Sequence, residues 1–209
     1  MLHGENIVYF PDGAVKEKYN YWANDRHGEF CEYFDDGKPK LKGFYHSNAK
    51  DSVWNVFYAT GKLQSVVIYK KGLLVKIREF YAPDGKQTVV DGNGTMVSYF
   101  DNMIKMSEGE LVNGLEDGFW IYWYENGQKK SEGEYDNGQR LGVWTEWYDN
   151  GQKKSEVSYE TGMNTYWTIE GNKEMEGKLV DGKRQGEWKY WYASGQIRSI
   201  NIYKDDLRH

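Results

Sequence analysis

The residues best equipped for chemistry are four histidines, His3, His27, His46 and His209, and one cysteine, Cys31. Metal sites draw His and Cys ligands from close, recurring spacings, and these histidines share none. A cysteine nucleophile needs a partner base to hold it as thiolate, yet Cys31 has Glu32 beside it and no paired histidine. Gly92-Asn93-Gly94 resembles a phosphate loop only in its glycines, because no Gly-Lys-Ser/Thr follows and no helix is expected. The carboxylates recur along the chain in alternation with lysines, as on a solvated strand face. The sequence therefore predicts a non-enzymatic chain with no metal or cofactor.

Binding chemistry is better represented. Trp123, Trp147, Trp167 and Trp191 recur at one phase, preceded in the N-terminal half by Tyr9, Tyr33, Phe57 and Tyr99. Trp and Tyr are the side chains most enriched at binding hot spots. The four tryptophans are the candidate partner-binding residues, and the C-terminal half, 118–203, is expected to carry the main contact.

The elements that carry this row follow from a repeat. Gly118-Phe-Trp-Ile-Tyr-Trp-Tyr-Glu-Asn-Gly127 returns as Gly142-Val-Trp-Thr-Glu-Trp-Tyr-Asp-Asn-Gly151, 24 residues on. Such self-similarity marks a repeat architecture. Asn126-Gly127 and Asn150-Gly151 read as two-residue type I′ hairpin turns between strands rich in Trp, Tyr, Val and Thr. Turns then fall at 13, 37, 61, 85, 103, 127, 151, 171 and 195. The expected fold is all-β: a single elongated, twisted and curled antiparallel meander of about nine consecutive hairpins. It forms one repeat domain, 1–209, with a possible crease near 89–94, where one unit is short.

Across a two-residue turn, Trp120 would oppose Gly133, and Trp54, Trp144 and Trp188 would hold the same core position. The row Trp123, Trp147, Trp167 and Trp191 would then lie on the other face, opposite Lys130, Lys154 and Arg198, whose stems could cover the rings. The first strand, Asn6–Phe10, is an edge through which the chain could self-associate.

The pattern Gly-x-Trp-x-x-Trp-Tyr-x-Asn-Gly, then Lys-Lys-Ser-Glu-x-x-Tyr, resembles the bacterial variant of the MORN repeat and chains of the YwqK-type antitoxin family. The match is specific in 118–162 and 186–203 and recognisable in 28–72. It is weak in 1–27, 76–103 and 163–177, where Asn6, Ile77, Met96 and Asn164 replace Trp. The resemblance implies a cytoplasmic antitoxin or immunity-type protein that binds a protein partner, a cognate toxin. The alternative is a cell-envelope adhesin or carbohydrate binder that stacks sugars on the aromatic row. A net charge of −5 argues against a nucleic-acid partner, and no apolar run is long enough for membrane insertion as a helix. A cytoplasmic location also assumes that no leader precedes Met1.

Overall fold

In the computed structural model, which describes residues 1–208, the chain is a meander of β-hairpins. The strands are β1 Gly4–Tyr9, β2 Val15–Trp22, β3 Asp25–Tyr33, β4 Pro39–His46, β5 Ala49–Phe57, β6 Leu63–Lys70, β7 Leu73–Tyr81, β8 Gln87–Val90 and β9 Asn93–Tyr99. They continue as β10 Lys105–Val112, β11 Leu115–Trp123, β12 Lys129–Asp136, β13 Gln139–Trp147, β14 Lys153–Ser158 and β15 Met163–Trp167. The last are β16 Lys173–Val180, β17 Lys183–Trp191, β18 Ile197–Lys204 and β19 Leu207–Arg208. All nineteen belong to one antiparallel sheet. The chain divides into two compact units, residues 1–96 with 111–115, and 97–110 with the residues from 116 onward.

Two kinds of turn alternate. Asn137-Gly138, between β12 and β13, has positive φ at both residues (48° and 77°), as a type I′ turn requires. At the repeat-phasing turns the expectation of type I′ was wrong. Gly127 has φ 84° and Asn126 has no positive φ. The Gly127 N–H donates to the Tyr124 carbonyl, and the Tyr124 N–H to the Gln128 carbonyl. This is a type I turn closed by a left-handed glycine. Asn126 is there for its side chain, whose Oδ1 accepts from the Gln128 N–H at 2.9 Å. Asp12, Asp36, Asp84, Asn102 and Asn150 cap their own turns in the same way.

The longer turn moves the register by one residue, and a bulge moves it back. Trp123 opposes Lys129 rather than Lys130, whereas Tyr122 opposes Ser131 and Trp120 opposes Gly133 as expected. Lys130 is the extra residue.

A second irregularity builds the core. Between β12 and β13 the pairing jumps from Glu132–Thr145 to Glu134–Leu141, so Gly142, Val143 and Trp144 answer Gly133 alone. Within this bulge the Trp144 indole lies flat over Gly133, where an added Cβ would sit 2.5 Å from the ring. Its Nε1 donates to the Glu134 carbonyl at 3.0 Å. Trp120 lies likewise over Gly109, Trp188 over Gly177 and, in the first unit, Trp54 over Gly43. Each indole thus reaches back to the preceding hairpin and not, as the cross-turn register had implied, to the glycine of its own.

In each unit the rings then pack on one another. Phe30 meets Trp54 at 5.6 Å and Trp54 meets Tyr69 at 6.0 Å, while Tyr122 meets Trp144 at 6.3 Å and Tyr135 meets it at 4.8 Å. The four indoles are at most 2 % exposed. A cation closes several of these cages, with Lys50 4.5 Å from the Trp54 centroid and Arg140 4.0 Å from that of Trp144.

Trp144→Ala should destabilise the protein by about 3–5 kcal/mol, as deletion of a buried indole does. Gly133→Val should destabilise it by overpacking, and Trp144→Ile in the same chain should restore part of the loss. Urea unfolding of the three variants checks this, and losses that simply add would show that the two sites do not touch.

Candidate functional site

The predicted tryptophan row lies in the second unit. Trp123, Trp147, Trp167 and Trp191 end the first strands of their hairpins and point away from the indole core, because they fall at odd spacing from Trp120, Trp144 and Trp188. All four are half-buried.

The lysines that cover them are not the expected ones. Lys105 Nζ lies 5.7 Å from the Trp123 centroid, Lys129 5.1 Å from Trp147, Lys153 5.2 Å from Trp167 and Lys173 4.5 Å from Trp191. Each cation comes from the preceding hairpin. Each is also held by a glutamate three residues on: Lys105–Glu108 at 2.7 Å, Lys129–Glu132 and Lys153–Glu156 at 2.6 Å, and Lys173–Glu176. Glutamate fixes lysine and lysine covers indole, so the row is a repeated three-residue device that joins one hairpin to the next. A lysine thus lies against each of the four indoles.

Lys130, Lys154 and Arg198 go to the other side. Lys130 lies over Tyr124 at 5.7 Å, Arg198 over Tyr190 at 5.6 Å, and Lys154 pairs with Glu146 at 3.7 Å. Their assignment to the tryptophan-row face was wrong by one bulge, since the extra residue swings its side chain onto the tyrosine face.

Beside the row runs a column that the sequence reading missed. Phe119, Val143 and Met163 are 53 %, 57 % and 44 % exposed, one residue before Trp120, Trp144 and Asn164 and therefore on the row's face. The signal was visible as an apolar residue immediately before each core position. The turns are stitched along the same unit: Asn102 Nδ2 donates to the Glu125 carbonyl, Asn126 to that of Asp149 and Asn150 to that of Ile169. The Tyr124 hydroxyl donates to the Trp147 carbonyl, and Tyr148 to that of Trp167.

In the first unit the face turned away from the core carries a groove of about 540 Å³, lined in part by Lys18, Glu29, Cys31, Tyr33, Lys42 and Phe44. Its charges balance. The Tyr33 phenol is pushed up to about 12, first by its hydrogen bond with Cys31 and then by burial. His3 meets Trp22 edge-on, and His27 packs on Phe44 and His46; His209 lies outside the described residues. Among the described residues no three His, Cys, Asp or Glu side chains converge to hold a metal ion.

With this geometry in place, six segments match the MORN repeat variant model: 2–23, 26–47, 50–71, 116–137, 140–161 and 184–205. They cover well over half of the sequence. The chain belongs to the MORN repeat variant family. MORN segment 2–23 matches although the sequence reading placed 1–27 among the weak copies. There Tyr19 and Phe30 stand in the places of the core glycine and tryptophan and stack at 6.4 Å. The family marks a repeat module for protein interaction. No curated protein matches the chain. Of solved structures, that of TcdB2-TccC3-Cdc42 matches 97% of this chain and 12% of its own, at 9% identity and a TM-score of 0.25. That of TcdB2-TccC3 matches 98% and 15%, at 7% identity and a TM-score of 0.21. The MORN chain thus spans well under a fifth of either, and likeness this slight carries no argument.

Lys129→Ala should uncover Trp147. Its emission should shift to the red and its quenching by acrylamide should rise, with a stability loss of about 0.5–1 kcal/mol. Unchanged quenching would show that the lysine does not cover the ring.

Proposed function

We propose that this protein is a non-enzymatic binding module and that the second unit engages a protein partner across the face bearing Trp123, Trp147, Trp167 and Trp191. The observation that carries the reading is the exposed column Phe119, Val143 and Met163 beside that row. Large apolar side chains aligned on a sheet face, rimmed by the Lys–Glu pairs, have the make-up of an interface with an apolar centre and a polar rim. The lysine-held rings add a stiff surface that loses little side-chain entropy on binding. The resemblance of 118–162 to YwqK-type antitoxin repeats favours a toxin as the partner, neutralised by being bound.

The test pairs this chain with the product of the adjacent gene. Co-expression should relieve growth inhibition by that product, and the two purified proteins should co-elute at the mass of a complex. Phe119→Asp with Val143→Asp should weaken the complex at least tenfold while leaving the melting temperature within a few degrees, since both side chains are solvent-exposed. A neighbour that is harmless, or that binds the double variant equally well, would overturn the reading.

A further inference from the structure

The tyrosine face of the second unit holds a pocket of about 270 Å³, lined by Tyr122, Tyr124, Lys130, Ser131, Tyr135, Arg140, Glu146 and Lys154. Three cations share it with one carboxylate. Glu146 is taken up by its neighbours, 3.7 Å from Lys154 Nζ and 3.9 Å from Arg140 Nη1. Lys130 has no carboxylate within ion-pair distance among the described residues, in a chain that is acidic overall.

Comparison among the hairpins shows what is missing. The cation three residues after the turn meets the residue five before it in the same hairpin. Lys40 binds Glu32 at 2.8 Å, and Lys154 pairs with Glu146. At the Gly127 turn the corresponding residues are Lys130 and Tyr122. The carboxylate has been replaced by a phenol whose hydroxyl is turned to that of Tyr135 at 3.3 Å, and a pocket lies beside it. Arg198 also meets a tyrosine, Tyr190, but Lys130 differs in sharing its pocket with two further cations.

We infer that this pocket takes a carboxylate side chain from an acidic segment of a bound protein, which occupies the place held by glutamate in the sibling hairpins. The ligand carboxylate receives N–H donors from Lys130 and from the Arg140 guanidinium, which also lines the pocket, a charge-assisted arrangement. Burial, and secondly the hydrogen bond with Tyr135, hold the Tyr122 phenol above its ordinary value; its one proton is donated to the Tyr135 hydroxyl, so the donors to the ligand are the cations. Glu146 in the lining disfavours a dianion, which sets the pocket against phosphate. The site rests on the protein-binding reading of this unit but lies on the opposite face, so a partner that uses both must reach around the sheet.

The probe is a fluorescein-labelled hexaglutamate peptide, followed by anisotropy with the full chain. The net charge of the protein repels it, so binding must be local. Lys130→Ala should weaken binding at least fivefold, and so should Tyr122→Glu, which supplies the sibling carboxylate within the chain but gives up the ring contacts with Trp120 and Trp144. Lys204→Ala, a charge-matched loss at an exposed position of β18, should leave binding within twofold. Acetate should compete with the peptide, and inorganic phosphate at matched ionic strength should compete more weakly. Equal binding by wild type, Lys130→Ala and Tyr122→Glu would overturn the proposal, as would phosphate displacing the peptide at a tenth of the acetate concentration. The peptide readout needs no toxin, so its failure and that of the proposed function are separable.

Discussion

Successive hairpins with no helix among the described residues have only their own strands to lay a core against, and each unit meets that constraint by laying large rings on bare backbone. Trp144 over Gly133 is the unit of the solution. The glycine removes the side chain that would hold the ring off, and the bulge at Gly142–Trp144 pitches the indole down onto the strand before it. The indole N–H finds a carbonyl there, so the ring is buried without an unpaired donor. Because each contact joins one hairpin to its predecessor, stability builds up by neighbours along each unit.

The other contacts between hairpins run the opposite way, from each hairpin forward to the next. Lysines cover the tryptophans of the following hairpin, tyrosine hydroxyls reach the next first strand, and asparagine amides reach the next turn. The conserved phase of the repeat is therefore a phase of contacts between hairpins. A residue at one position serves its own turn with one atom and its neighbour with another, as Asn126 does through Oδ1 and Nδ2.

The hairpin period, the strand content and the burial of Trp54, Trp120, Trp144 and Trp188 were legible in the sequence, because turn glycines and alternating aromatics are local signals. Two errors came from treating a hairpin as self-contained. Asn-Gly was read as type I′, whereas the asparagine caps a three-residue loop, and that single residue sent Lys130 and Lys154 to the wrong face. The cross-turn partners of the core tryptophans, Val67, Gly133, Val157 and Asn201, vary in size. The residues eleven before the tryptophans, Gly43, Gly109, Gly133 and Gly177, are all glycine. That regularity was present in the sequence and identifies the true contact. The exposed column was harder to see, since an apolar residue beside a core tryptophan looks like part of the core until alternation is applied strictly.

The central claim is that each core indole packs on the glycine of the preceding hairpin. The α-proton shifts of Gly133 test it most directly, since a ring lying flat over a glycine moves those resonances far upfield. The account predicts that Trp144→Leu returns them to the ordinary glycine range while Trp120→Leu leaves them displaced. Loss of the upfield shift in Trp120→Leu, with its retention in Trp144→Leu, would place the contact within the hairpin and contradict the account.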